Sequence, residues 1–233
     1  MKLKRYSASG LLALPLVLAL PAFFAARGPA APDPTKTVKK VAVAPNIVLE
    51  VAGAKRRVVV SATVCLTKGP LELLMCRKNT KEHESVLSAD VDARKLKQAL
   101  LLTGAKEGQP VRFAPKYAPA SGQVLKITLV YELKGKTHTV SGQKWVRDGT
   151  TKKPLAHNWV FAGSRLVANP FDKNKPIFLA NDGDLVCVSN FESALLDLPI
   201  KSSKDNADLV FEANTEVIPP VGTKVSVIFE PVK

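Results

Sequence analysis

The sequence predicts an α+β fold: a strand-rich single domain with one clear helix near residues 92–103. Three observations predict it. Short β-branched and apolar runs, each ended by a turn signal, recur from Asn46 onward. One segment alone carries a sustained helical period. The 17 prolines outnumber the 13 glycines, which suits strands and loops better than a helical bundle. At 233 residues, 46% of them hydrophobic and 23% charged, the chain is long and apolar enough to bury a core.

The first segment is not part of that fold. Lys2, Lys4 and Arg5 precede an uncharged run from Gly10 to Ala26. A basic start followed by an apolar run reads as an export signal over residues 1–30, with Gly28 and Ala30 as small residues for cleavage. Pro15 and Pro21 weaken it as a stable membrane helix. The alternative is an uncleaved anchor at residues 10–26, because 17 uncharged residues reach the lower limit for spanning a bilayer. The expected location is exported, periplasmic or cell-envelope, with membrane contact only through this segment if it stays uncleaved. Residues 31–45, rich in Pro, Ala and Lys, read as a flexible tether.

Beyond the tether the runs "NIVLEV" and "RRVVVSATVCL" are β-branched and read as strands, and "KGPLELLMC" follows a Gly69-Pro70 turn. The helix is "DVDARKLKQALLLTGA". It has Ala93, Leu96, Ala99, Leu100 and Thr103 on one face, Asp90 or Asp92 to cap its start, and Gly104 to leave it. In "GQVLKITLVYEL" the set Leu125, Ile127, Leu129, Tyr131 and Leu133 is the more apolar and faces the core. "ELKGKT" is a hairpin connection to "KTHTVSGQKWVR". "HNWVFAG", "PIFLA", "DLVCVSN", "ADLVFEA" and "TKVSVIFEP" make a strand-rich second half. Residues 46–233 read as one α+β domain.

The formal net charge is +14. Lys2, Lys4, Arg5 and Arg27 account for four of these charges, so +10 remains beyond residue 30. The lysines are spread thinly, and no aromatic residues interleave with runs such as Lys55–Arg57 to stack bases. A nucleic-acid partner is not expected.

Six stretches occur in order: "VCLTKGPLELLMC", "KEHESVL", "ALLLTGAKEGQPV", "WVFAGSR", "GDLVCVSNFESALLDLP" and "NTEVIPPVGTKVSVIF". Together they resemble the YdjY-domain family of bacterial proteins over Val41 to Pro231. The resemblance implies an often exported protein of a kind common in planctomycete-type bacteria. It brings no established catalytic residues to carry over. A ferredoxin-like label attached to some members implies an iron–sulfur cluster. Such clusters take four Cys thiolates, often in C-x-x-C runs. This chain has Cys65, Cys76 and Cys187, none in that spacing, so no cofactor is expected.

The densest set of chemically capable side chains is "CRKNTKEHESVL". Here His83, between Glu82 and Glu84 and before Ser85, offers a metal ligand or a general base held by a carboxylate. The pattern H-E-x-x-H is absent. The competing reading is a polar turn whose carboxylates cap backbone N–H groups and whose "SVL" begins a buried strand. His83 is then expected at the mouth of a shallow cleft, meeting residues distant in sequence. "NDGDL", with Asp182 and Asp184 around Gly183, reads as a hairpin turn rather than a calcium loop, since the later ligands are missing. In "NWVFAGSRL", Trp159 and Phe161 share one face, as core or as a ligand-stacking wall; Trp159 and Arg165 therefore join the candidate binding residues. Cys65 and Cys76 flank the Gly69-Pro70 turn on neighbouring predicted strands. They read either as a disulfide in an oxidising compartment or as two small buried residues. Cys187, flanked by valines, reads as a core thiol.

The function expected from these residues is a non-catalytic binding or accessory module at the cell envelope, with an envelope ligand or protein as partner. One alternative is a metal-dependent or hydrolytic enzyme centred on Lys81–Ser85. The other is a thiol redox protein using Cys65 and Cys76.

Overall fold

A computed structural model describes residues 38–202 and 210–232. The expected signal or anchor, and the tether up to residue 37, lie outside the described residues. The first half of the fold contains β1 (Lys39–Ala44), β2 (Ile47–Ala52), β3 (Lys55–Val64), β4 (Leu73–Arg77), β5 (Ser85–Ala89), α1 (Ala93–Leu102), β6 (Val124–Leu133), β7 (Lys136–Ser141) and β8 (Val146–Asp148). The second half adds β9 (Trp159–Phe161), β10 (Leu166–Val167), β11 (Ile177–Phe178), β12 (Asp184–Cys187), β13 (Leu196–Asp197), β14 (Phe211–Ala213) and β15 (Lys224–Pro231).

Eight of these strands close on themselves. The order β3, β15, β6, β9, β13, β12, β4, β5 returns to β3, because Thr63 and Val64 of β3 pair with Ser88 and Leu87 of β5. The pairs β12–β13 and β4–β5 are parallel; the other ring pairs are antiparallel. This closure overturns the α+β expectation. The described residues form a β-barrel with one α-helix, not a layer of helices on a sheet. Strand runs in a sequence register alternation and length, but closure depends on one strand sharing an edge between two partners. Here β3 gives one stretch of an edge to β2 and the next to β5. β6 divides an edge in the same way between β9 and β7.

An eight-stranded ring leaves room for side chains to fill the interior, and this interior is filled. Leu125, Ile127, Leu129 and Tyr131 of β6 point inward, as the alternation predicts. Val58, Val60 and Val64 of β3, and Val225, Val227 and Phe229 of β15, join the same core with Trp145, Trp159 and Phe161. The turn after β6 uses Lys134 (φ 50°) and Gly135 (φ 72°), both left-handed, as a two-residue hairpin requires.

The helix α1 lies where its period places it. Asp92 caps it by accepting from the N–H groups of Arg94 and Lys95. Ala93, Leu96, Ala99 and Leu100 are its buried residues, and α1 packs on the β1–β3 side. Part of the expected tether is folded: Lys39–Ala44 forms β1 and pairs antiparallel with β2. Its short apolar alternation, Val41 and Val43, suffices once a neighbouring strand supplies the ladder.

Candidate functional site

The acid-rich part of "CRKNTKEHESVL" folds as a 3-10 turn, Glu82–Glu84, between β4 and β5. Glu82 is spent on the turn itself, accepting from the N–H groups of Asn79 and Thr80. This is the expected capping role. His83 points outward with its side chain 76% exposed; its Nε2 stands 3.7 Å from Glu84. Among the described residues nothing from a distant segment pairs with it, so the expected meeting at a cleft mouth is not found. Ser85 is fully buried, and its hydroxyl donates to the Leu87 carbonyl.

The residues that do gather are the ends of the segment and two acids from elsewhere. Lys81 Nζ stands 3.0 Å from Asp184 Oδ1, 3.4 Å from Glu72 Oε2 and 4.0 Å from Glu84 Oε1. The Phe191 ring lies 4.2 Å from the ammonium, a cation–π contact. Ser193 Oγ donates to the other oxygen of Asp184. Glu72 comes from just before β4 and Asp184 opens β12, two strands that pair with each other. Gly183 permits the approach. It has φ +134°, and a Cβ there would stand 2.7 Å from Thr80 Oγ1 and 3.2 Å from Lys81 Cγ. "NDGDL" is therefore a 3-10 turn, Leu179–Asp182, entering β12, and not the expected hairpin.

The electrostatics follow from burial. Burial works against the Lys81 ammonium, but Asp184 and then Glu72 outweigh it and hold lysine above its ordinary range. Burial, and then the hydrogen bond shared with Glu84, push Glu72 up to about 7 against the pull of Lys81. The cluster can thus hold or release a proton near neutrality at Glu72. Lys81, kept protonated, is not a nucleophile.

Behind this cluster lie the thiols. Cys76 is fully buried and packs with Leu73, Cys187 and Ala194. Cys65 is partly exposed. The two do not sit on neighbouring strands, as the sequence suggested: β5 runs between them, with Val64 opposite Leu87 and Cys76 opposite Ser88. All three cysteines are free thiols. Cys65 Sγ donates to the Ser85 carbonyl at 3.0 Å.

A family model described as the YdjY domain matches residues 49–230. The chain belongs to the YdjY-domain family. The matched span runs from β2 to β15 and takes in every strand of the closed ring, the Lys81 cluster and the thiols. Searches of curated proteins and of solved structures return no match.

The remaining sequence candidates separate in this YdjY-domain fold. Trp159 is fully buried and donates from Nε1 to the Cys187 carbonyl at 2.7 Å. It is core and not a stacking wall; both faces of its short strand are covered. Arg165 is on the surface, 3.6 Å from Glu192, beside a groove that also has Gln109, Arg112 and Ser121 in its walls. Among the described residues no cluster of three or more His, Cys, Asp or Glu side chains is placed to hold a metal ion, and no helix is long and apolar enough to cross a membrane.

Sequence reading missed Glu72, Phe191 and Ser193, and read Asp184 only as part of a turn. The available signal was an aspartate heading an apolar strand, "DLVCV", where a lone carboxylate needs a partner. It also missed a broad concavity. A groove of about 670 Å³ crosses the outer face of β3, β15, β6 and β7, lined by residues that include Ser61, Val130, Glu132, Thr137, Lys224 and Ser226. A second groove, of about 490 Å³, shares Ser61, Ala62 and Lys224 with it and continues to Ser88 and Asp90. Outward positions of the strands, Ser61, Val130, Glu132, Lys224 and Ser226, supply much of the first groove's wall. Nothing marks such residues as a site in a linear reading.

Proposed function

We propose that this YdjY-domain protein is an exported, non-catalytic binding or accessory module at the cell envelope, and that it binds an extended polar chain along the outer groove. The observation that supports this reading is the groove itself. It is open, runs across several strands, and presents Ser61, Ser226 and Thr137 as hydrogen-bonding groups between Lys224 and Glu132. The filled barrel interior directs ligand contact to the outside. Export rests on the basic start and apolar run of the first 30 residues.

The test is sedimentation with an insoluble cell-wall preparation. Wild-type protein is expected to co-sediment, and Ser226→Trp, which fills the groove from an outward position, to remain in the supernatant while keeping its melting temperature. Equal sedimentation of the two proteins would move the site elsewhere. Failure of the wild type to sediment would remove the reading.

A further inference from the structure

We propose that the groove between Arg112 and Arg165 binds a phosphate monoester, with the two guanidiniums as its charge partners. The inference does not rest on the outer groove, which shares no lining residue with this one. The cavity holds about 350 Å³, and Gln109, Pro110, Arg112, Pro119, Ser121 and Arg165 are in its walls. That volume lies in the range of small-ligand sites. Among the described residues the lining carries two positive charges and no acid.

Backbone bonds hold these walls in place. Glu107 pairs with Gly122, and Arg112 with Ala118, as antiparallel bridges of one ribbon. Arg112 and Ala118 exchange both backbone bonds, at 2.9 Å and 2.8 Å. Arg165 enters from the segment after β9. Ser164, left-handed at φ 57°, donates to the Ser193 carbonyl and accepts from the Ala180 N–H. The Arg165 carbonyl accepts from the Leu179 N–H at 3.0 Å. Both arginine backbones are therefore fixed without a ligand, which lowers the ordering cost of binding.

The donors suit a phosphate ester. Glu107, on the same ribbon as Arg112, is held instead by Lys97 at 2.7 Å. Arg165 has Glu192 at 3.6 Å from Nη1, and the two side chains are 42% and 47% exposed. An exposed pair of this kind is weak, so an incoming anion can displace Glu192. The Ser121 hydroxyl accepts from the Gln109 N–H at 3.1 Å, which leaves its own proton to donate. Two guanidiniums balance the two charges that a phosphate monoester carries above its second pKa of about 6. A carboxylate would leave one guanidinium unmatched. Guanidinium forks also fit the several oxygens of a phosphate. Pro110 and Pro119 offer apolar contact to the organic part of the ester.

The experiment titrates full-length protein into glycerol 3-phosphate at about pH 8, where the ester is a dianion. Ionic strength is held constant, and the phosphorus NMR linewidth of the ligand is followed. Wild-type protein should give saturable broadening. Arg112→Gln should weaken binding about tenfold or more with Tm unchanged, since the bonds to Ala118 use only the backbone. Glu192→Gln, which frees Arg165, should tighten binding about two- to fivefold. Lys126→Gln removes the same charge as Arg112→Gln from an exposed position on β6 and should match wild type. Inorganic phosphate should bind more weakly than the ester, and acetate should displace it poorly. Absence of saturable broadening, equal losses in Arg112→Gln and Lys126→Gln, or weaker binding in Glu192→Gln would each overturn the proposal. So would inorganic phosphate or acetate binding as tightly as the ester.

Discussion

On one side of the barrel the outer faces of β4 and β12 carry Cys76, Cys187 and Asp184. Lys81, Phe191 and Ser193 close over them from the flanking segments. On the opposite side, β3, β15 and β6 present Ser61, Ser226 and Val130, and no described segment covers them. The covered side is where sequence reading sees chemistry, because it holds the charges and thiols. Yet the charges of its central cluster are matched to one another: a buried carboxylate is tolerated only with a partner, and Glu72, Glu84 and Asp184 all have Lys81. The uncovered side has few charges and no catalytic residue types, and it keeps its hydrogen-bonding groups available. Charge density along the chain therefore marks where the fold must neutralise itself. Availability marks where a ligand can bind.

Removing the central cation should break this contrast most severely. Lys81→Ala leaves Asp184, Glu72 and Glu84 facing one another with little water. Stranding buried charges in this way costs about 3–5 kcal/mol. Denaturant unfolding should show a loss of that order. A loss under about 1 kcal/mol, the range of an exposed ion pair, would mean that the covered side is solvated like the open one.

The second effect is a pH dependence confined to the covered side. Glu72 is raised from 4.5 to about 7 by burial and by Glu84. Asp197 on β13 is raised from 3.8 to about 7, first by burial, against the hydrogen bonds from Leu198 and Asn190. Its Oδ2 is buried and makes no hydrogen bond to the described residues, which suits a protonated carboxyl. Both folded values exceed the unfolded ones, so the native state binds more protons between them. Stability from these groups is full below the unfolded values and falls as pH rises towards about 7. Thermal melts should give a lower Tm at about pH 8 than at about pH 5, and Glu72→Gln with Asp197→Asn should flatten the difference. A Tm that rises across this range in wild-type protein would contradict both assignments.

How far the two sides were legible in the sequence follows from the same physics. The helix, the β6 alternation and the β6–β7 hairpin were readable because each depends on neighbours within about ten residues. The barrel was not, since closure rests on the far end of β3 meeting β5. β1 was hidden in a Pro- and Lys-rich context, although only its pairing with β2 makes it a strand. In the site, Glu82 was readable as a turn cap. Lys81 was named only as the start of a segment, and Glu72 and Asp184 join it from 9 and 103 positions along the chain, a convergence no local pattern encodes. Trp159 was legible as apolar and on one face with Phe161, but not as core on both sides of its strand.

On the open side, Ser61→Ala should change stability by no more than about 0.5 kcal/mol, as expected for a surface substitution away from special features. The same change removes a hydroxyl from the place where the two grooves meet. Its effect should therefore appear in cell-wall sedimentation and not in Tm. A stability loss approaching that of Lys81→Ala would show that the groove wall is structural.

The smallest effect belongs to the residue that the sequence singles out most strongly. His83→Ala removes an imidazole from the middle of the acid-rich turn, at the edge of the covered side. The ring is mostly in solvent and its near neighbour is Glu84, which already has Lys81. The turn is held instead by Glu82 accepting from the Asn79 and Thr80 N–H groups, and by the Glu84 N–H donating to the Lys81 carbonyl. None of these bonds uses the imidazole. Stability should move by about 0.5 kcal/mol or less, and sedimentation with cell-wall material should match wild type. Glu82→Ala at the adjacent position should cost more, about 1 kcal/mol, because it strips the acceptor from two backbone donors. If the order were reversed, with His83→Ala abolishing binding while Tm stays fixed, the functional site would lie on the covered side after all, and the open groove would be the bland surface.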